Sequence, residues 1–562
     1  MRISTACRVS GTAQRKSNLH IVGIAYLASF LIARMNPKHI SELLRRAAPQ
    51  DMPRSQRRRA LLSMASALAV GAIFAPALVR PLRAQPRFGS NPFTLGVASG
   101  SPRADSIVLW TRLVDDGLPP ENVALKWEVA HDENFRDIAR HGTAPATPQL
   151  AHSVRAEVKG LEPARWYWYR FMAGDAVSPV GRTRTAPATG AANQRLRFAF
   201  ASCQQYEQGF YAAYRHMARE ELDVVVFLGD YIYESSWGRN HVRKHNAGEP
   251  YTLDDYRNRY ALYKGDADLQ LMHAAAPWLV TWDDHEVDND YANDQAEDLA
   301  PEFLLRRAAA YQAFYEHMPL SPRALPRGPD ALLYDSFAFG DLANFFVLDD
   351  RQYRAHQVCA KAGRGGSNVV ADCAERLEAN RSLLGATQEA WLKDGFARTR
   401  AKWNVVAQQT LMAQHDRKAG PGQSFWTDGW DGYPAARARL LGDIAQIKPS
   451  NPLVIGGDVH CNWVADLKAD FDDIKSPVIA SEFCGTSITS QGPSVKQIAA
   501  TLAENPHIRY GNGKRGYVTM ELTPARCTTV MRGLDSEKRA DSKISTVATF
   551  VVENGRPGAQ TA

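Results

Sequence analysis

The chain is 562 residues long, 45% hydrophobic and 23% charged, which excludes a disordered or low-complexity protein and leaves core enough for roughly two to four domains. Part of its formal net charge of +7 comes from Arg54, Arg57, Arg58 and Arg59, so the charge does not mark a nucleic-acid-binding patch. Seven cysteines are too few for a disulfide scaffold.

Residues 1–84 read as an address rather than as structure. Ser55-Gln56-Arg57-Arg58-Arg59-Ala60-Leu61-Leu62 precedes an alanine-rich apolar run at 64–79, then Ala84 and a Pro/Gly-rich stretch at 85–92. That layout is a twin-arginine export signal, cleaved after Ala77 or Ala84. It predicts a periplasmic or secreted protein delivered by the twin-arginine translocation machinery. The apolar run is short for a full span, so no transmembrane segment is expected in the mature form. A second short apolar stretch lies upstream at 20–33. Translation from Met52 is the simplest account of it, with a membrane anchor as the alternative.

Residues 89–188 predict a small all-β sandwich of the fibronectin or immunoglobulin kind. Short alternating segments at 107–113, 123–130, 153–158 and 166–171 have sandwich spacing. Gly160-Leu161-Glu162-Pro163 ahead of Trp166-Tyr167-Trp168-Tyr169 resembles a tyrosine corner. Nothing in this stretch looks catalytic, and a Pro/Gly/Ala-rich linker at 185–193 closes it.

From 194 to 540 strands alternate with helices. Helical spacing covers 208–221, 251–275, 301–318 and 387–401, the last with Thr387 as its cap. Strands fall at 196–201, 224–228, 278–282, 403–408, 452–455, 477–483, 516–522 and 527–534, while 332–339 and 344–348 flank Gly340-Asp341 as a hairpin. The order predicts layered α/β sheets, a β-sandwich flanked by helices. Cys359 and Cys373 flank a Gly-rich loop and are candidates for a disulfide in an oxidising compartment. Residues 541–562 read as a C-terminal tail, disordered after Asn554.

Four of these strands end on chemistry. The run at 224–228 is β-branched and aromatic throughout, as in a strand buried on both faces; it stops at Gly229, and Asp230 follows. The others lead into Ser202-Cys203, into Asp283-Asp284-His285-Glu286 and into Gly456-Gly457-Asp458-Val459-His460. Ligands of open α/β sheets bind beyond the carboxyl ends of the strands. One thiol, several carboxylates and two histidines converging there make a transition-metal cluster. Taken singly, Asp230 reads as a turn aspartate and Cys203 as a buried structural thiol; the recurrence at four strand ends favours a site. Glu286 and Asp288 are either orienters of the ligands or solvated carboxylates. The Gly- and aromatic-rich segment at 426–434 either lines the pocket or covers a core.

The order Asp230, then Asp284-His285-Glu286, then Asp458-Val459-His460 resembles the calcineurin-like metallophosphoesterases, with Asp284 where that superfamily has asparagine and Asp458 where it has histidine. Both departures fit a narrower branch. Phe200-Ala201-Ser202-Cys203, Gly229-Asp230-Tyr231-Ile232-Tyr233-Glu234, Trp282-Asp283-Asp284-His285-Glu286-Val287-Asp288-Asn289, Leu348-Asp349-Asp350-Arg351-Gln352-Tyr353, Gly457-Asp458-Val459-His460 and Glu482-Phe483-Cys484-Gly485-Thr486-Ser487 resemble the PhoD-type alkaline phosphatases, also labelled alkaline phosphatase D or phospholipase D.

The resemblance implies a secreted enzyme that hydrolyses phosphomonoesters and phosphodiesters with Fe(III) and Ca(II) and scavenges phosphate. It implies that Cys203 and Tyr233 ligate iron, that Asp230 bridges metals, and that Asp284, Asn289 and Asp458 hold calcium or bridge. His460 is either a ligand or a support, and Tyr263 is left undecided. Thiolate and phenolate suit ferric iron while carboxylate and amide oxygens suit calcium; zinc or manganese would also be compatible. His285 is expected to protonate the leaving alkoxide or to stabilise developing charge. One arginine is expected to grip the phosphoryl oxygens, Arg257 and Arg351 being the candidates. Two other readings stand beside this one. One is a phospholipase D-like phosphodiesterase acting on lipid or polymer phosphodiesters, and the other a non-catalytic surface protein that binds metal or phosphate.

Overall fold

The computed structural model describes residues 88–562, so the leader expected over 1–84 lies outside the described residues. The strand Val224–Leu228 explains the architecture around it. Val224, Val226 and Leu228 face one apolar core together with Phe198, Phe345 and Leu453, whereas Val225 and Phe227 face another with Tyr214, Tyr260 and Trp278. A strand with a core on each side must be apolar at every position.

With a third core behind the second sheet, those cores separate four layers. A ten-stranded sheet runs in the order Arg556–Thr561, Ile544–Glu553, Arg526–Leu534, Gly516–Leu522, Leu196–Ala201, Val224–Leu228, Trp278–Thr281, Val97–Gly100, Ser106–Arg112 and Ser153–Lys159. A seven-stranded sheet packs on it in the order Asp335–Phe339, Ala343–Val347, Trp403–Ala407, Pro452–Gly456, Val478–Cys484, Asn462–Lys468 and Ile508–Asn512. Helices Leu253–Lys264, Ala267–Ala275 and Phe303–His317 cover the first sheet through the Tyr260, Leu269 and Phe314 side chains. Helices Gly385–Arg398 and Pro434–Ile447 cover the second through Leu392, Phe396 and Leu441. This is the layered α/β sandwich that the alternation of elements predicts.

Within each sheet the central strands are parallel. Parallel pairing brings the carboxyl ends of Leu196–Ala201, Val224–Leu228 and Trp278–Thr281 to the same rim. The candidate site forms there.

The N-terminal sandwich is present, and it is not closed on itself. Tyr167 OH accepts the Glu162 backbone N–H at 2.8 Å, the hydrogen bond of a tyrosine corner. Three of its strands extend the ten-stranded sheet, because Val97–Gly100 pairs in parallel with Trp278–Thr281 at Gly100 and Trp278. A side chain at Gly100 would meet the carbonyl oxygens of Pro319 and Trp278 at 2.6 and 2.7 Å, so only glycine permits this seam.

The helices differ from the spacing in three places. The stretch at 208–221 keeps helix only over Ala212–Met217. The stretch at 251–275 is two helices, because Asp266 caps a new one by accepting the backbone N–H groups of Asp268 and Leu269. Helix Gly385–Arg398 starts ahead of Thr387, which lies inside it.

The C-terminal tail is corrected as well. Ile544–Glu553 and Arg556–Thr561 are strands that complete one edge of the large sheet. The missed signal is Asn554-Gly555, a hairpin-turn dipeptide between them. Cys359 and Cys373 form a disulfide. No helix of the described residues is long and apolar enough to cross a membrane.

Lys264 sits at the seam between sandwich and helices. It is 1% exposed, and its ammonium lies 4.1 Å from the Trp110 ring centroid. Burial pulls its pKa from 10.5 to about 7. The unfolded chain therefore holds this proton over a range of pH where the fold has lost it, and the contribution of Lys264 to stability rises with pH from about 7 to 10.5. Lys264→Met should be more stable than the parent at neutral pH, with the gap closing as pH approaches about 10. Thermal unfolding of both proteins across that range checks this; a gap that does not change with pH would assign the effect to packing alone.

Candidate functional site

Cys203, Asp230, Asp284 and Asp458 each lie just beyond a strand that is fixed on both faces. Gly229 ends its strand at φ 103°, and a side chain there would lie 2.5 Å from Asp283 Cβ; its absence lets two strand ends approach. The next residues turn sharply. Cys203, Asp230, Asp458 and His460 adopt φ of 60°, 58°, 63° and 53°, each a left-handed conformation costing about 1–3 kcal/mol outside glycine. The ends of Leu196–Ala201, Val224–Leu228 and Pro452–Gly456 are thus bent toward one point.

Two donor sets meet there. Cys203, Asp230 and His460 form one, Asp230, Asp284 and His285 the other, and the ligand atoms of each set lie within 4.8 Å of one another. Asp230 belongs to both. Tyr233 joins the first set, its hydroxyl 2.7 Å from Asp230 Oδ2 and 3.2 Å from His460 Nε2, while Ser490 Oγ donates to it at 2.8 Å. His460 Nδ1 donates to the Gln491 carbonyl at 2.6 Å, which leaves Nε2 as the lone-pair nitrogen facing the cluster. Asp458 lines the same cavity as Asp230 and Asp284, and its Oδ2 accepts from Thr410 Oγ1 at 2.6 Å. Asn289 lines it too, with its amide N–H on Glu297 and its backbone N–H on Glu234.

The electrostatics are those of a site built around positive charge. Burial, and then the neighbouring carboxylates, push Asp230 and Asp458 well above the usual range. Burial likewise raises the Cys203 thiol and the Tyr233 phenol, with Asp230 adding to both. Burial, then Arg515, lowers His460 to about 3. Asp230 Oδ1 is buried with no hydrogen-bond partner. A carboxylate left unpaired inside a fold is costly unless a cation joins it. A thiol, a phenol, an imidazole and several carboxylates, one with an orphan oxygen, are a donor set that fits metal ions.

His285 is different. Burial alone would lower it, but Glu234, Asp284 and Asp230 outweigh that and raise its pKa well above the ordinary imidazole value. Its Nδ1 donates to Glu234 Oε2 at 2.7 Å, and its ring lies against Tyr233 with centroids 4.1 Å apart. Asp284 is held below the usual carboxyl range: burial opposes this, and Arg351 and His285 override it.

The arginines depart from expectation. Arg257 is paired with Glu316 through Nε and Nη2, both at 2.6 Å, and with Asp254. Arg351 is wholly buried among Asp283, Asp284 and Asp428. Neither is among the residues lining the cavity, so each guanidinium is engaged in structural ion pairs rather than facing a substrate. Of the undecided carboxylates, Glu286 accepts the backbone N–H groups of Asp230, Tyr231 and Asp283, and Asp288 pairs with Arg306. Tyr263 OH accepts the backbone N–H groups of Tyr206 and Tyr233, both at 3.1 Å, which makes it a support for the Tyr233 segment.

Sequence reasoning missed several residues. Glu234 was visible only as the last letter of a motif. Asp290 and Asp428 form a third acidic group with Asp284, its charge met by Arg351 and Arg354 on Asp428. The cavity holds about 870 Å³ and extends from Asp230, Asp284 and His285 to His415, Arg417, Lys418, Trp426 and the helix Val495–Glu504. The loop carrying Arg417 has no recognisable pattern of its own.

The PhoD-like phosphatase family model matches residues 198–531, and the model of that family's N-terminal domain matches residues 79–187. Over 494 residues the chain is 49% identical to alkaline phosphatase D of Bacillus subtilis (strain 168), a match covering 85% of this chain and 83% of that protein. A solved structure of PhoD superposes with a TM-score of 0.82 at 47% identity, covering 85% of this chain and 93% of that one. The sandwich, the central strands of both sheets and the strand-end cluster fall within the residues that the family models match, and the chain belongs to the PhoD-like phosphatase family.

Proposed function

We propose that this phosphatase hydrolyses phosphomonoesters and phosphodiesters at a site holding Fe(III) and Ca(II), and that it is exported through the twin-arginine pathway to scavenge phosphate in the periplasm or medium. The observation carrying the reading is the sharing of Asp230 between two donor sets, one containing a thiol and a phenol and the other only carboxylate and imidazole. Cys203, Tyr233, His460 and Asp230 would hold iron. Asp284, Asn289 and Asp458 would hold calcium, with Asp230 between. The chemistry such ions supply is Lewis-acid polarisation of the phosphoryl group and neutralisation of its developing charge.

The chain's own part is proton delivery and positioning. Glu234 accepts from His285 Nδ1, and the neighbouring carboxylates keep the ring protonated. The remaining N–H, at Nε2, is then the acid available to the departing alkoxide. Glu286, through three backbone amides, fixes the strand end that carries Asp230 against the one that carries Asp283 and Asp284, so the carboxylates that would hold the ions are positioned in advance.

Protein purified after export should contain stoichiometric iron and show a visible charge-transfer band that Cys203→Ser or Tyr233→Phe weakens or shifts. Colourless, iron-free protein active with zinc or manganese would keep the phosphatase and discard this metal assignment. Asp230→Asn should remove both metal and turnover of p-nitrophenyl phosphate. His285→Asn should lower kcat on an alkyl phosphate by about 10²–10⁴-fold and far less on p-nitrophenyl phosphate, whose phenolate leaves without a proton; equal losses on the two substrates would rule out the acid role.

A further inference from the structure

The cavity is far larger than one phosphate group needs, and its charge is lopsided. Its carboxylates include Asp230, Asp284, Asp288, Asp290 and Asp458 around the donor sets, and Asp416 and Glu504 beside the loop described below. Among the described residues, Arg417 and Lys418 are the only lysine or arginine residues lining it. Among the described residues neither of these two forms a salt bridge; the Arg417 guanidinium instead lies 5.0 Å from the Trp426 ring centroid, and Trp426 lines the cavity beside it.

An exposed arginine is ordinarily just solvated, but this one is carried on a constructed loop. Asp416, 7% exposed, accepts the backbone N–H groups of Lys418 and Ser424, both at 2.9 Å. Arg417 N–H donates to the Ser424 carbonyl at 2.9 Å, closing the loop. Asn505, itself buried, clamps Asp416 from both directions: its Oδ1 accepts the Asp416 N–H, and its Nδ2 donates to the Asp416 carbonyl. Gly420 N–H donates to Glu504 Oε1 on the helix Val495–Glu504. Trp426 is pinned by strand pairing with Val369. A loop tied at this many points fixes the backbone that carries the two cations at the cavity, with guanidinium N–H groups free for an anion.

We infer that Arg417, backed by Trp426 and aided by Lys418, forms the oxyanion subsite of this cavity, gripping phosphate oxygens of the substrate. The inference rests on the phosphatase reading above. It also fills the role left open because Arg257 and Arg351 are engaged by carboxylates. A guanidinium stacked on an indole keeps its planar fork of donors, which matches two phosphate oxygens at once; an ammonium supplies charge without that geometry.

The test uses exported, metal-loaded enzyme and its Arg417→Gln, Lys418→Gln and Arg417→Lys variants, with metal content measured in each. Inorganic phosphate is the probe, read as its inhibition constant, alongside KM and kcat for p-nitrophenyl phosphate and for a phosphate ester whose leaving group carries a second phosphate. Arg417→Gln should weaken inhibition by phosphate about tenfold or more at unchanged metal content, with Lys418→Gln weaker in effect and Arg417→Lys restoring part of the loss. Loss on both substrates places the grip on the scissile phosphate, and loss only on the second places it on the distal phosphate. Phosphate inhibition and KM unchanged in both glutamine variants would overturn the subsite while the parent's activity leaves the phosphatase reading standing. A metal-loaded parent that turns over neither substrate would overturn that reading itself.

Discussion

Arg351 joins the two sheets at the rim where the site forms. Its guanidinium, fully buried, is shared by Asp283 and Asp284, which follow a strand of the large sheet, and by Asp428 from a loop beside the small one. Arg354 adds a second contact to Asp428 at 2.8 Å, and Asp349 accepts from Trp282 Nε1 at 3.0 Å. A buried pair of this kind contributes little net stability compared with apolar packing, because its desolvation cost is large. What it does here is set register. With both sheets tied at the ends of their parallel strands, Asp230, Asp284 and Asp458 have fixed positions relative to one another.

That tie lets the fold carry a strained, overcharged cluster. Four residues at the strand ends hold left-handed conformations without being glycine, and several carboxylates face each other with burial pushing their pKa values upward. Such costs persist only where the surrounding structure over-determines them. The apolar cores on both faces of Leu196–Ala201 and Val224–Leu228 supply that rigidity. Function and stability are therefore set in opposition over a few residues, and the layers around them absorb the difference.

Charge across the cavity follows a simple division. The strand-end carboxylates are suited to cations, while Arg417 and Lys418 line the same cavity from an anchored loop. A phosphate ester, negative and in need of neutralisation from more than one direction, is the ligand such a division accommodates. The N-terminal sandwich enters this arrangement indirectly: by continuing the large sheet at Gly100 it covers a flank of the catalytic layers, and no residue of it lines the cavity.

The amino-acid sequence by itself determined the strand ends and what they carry. A strand buried on both faces must be apolar throughout, so where such a run stops is legible locally, and Cys203, Asp230, Asp284 and Asp458 could be read as a converging set without any coordinates. The tyrosine corner and the layered sheets were legible for the same reason, since each is written in short-range spacing. Only the tertiary structure decided what the arginines do. Arg257 meets Glu316 and Arg351 meets Asp428, partners 59 and 77 positions away, and no local pattern encodes a guanidinium's distant counterion. The same holds for Arg417, whose place at the cavity depends on Asn505, 89 positions beyond the Asp416 it clamps. Periodicity and turn dipeptides are properties of neighbours along the chain, whereas ion pairing and cavity lining are properties of neighbours in space.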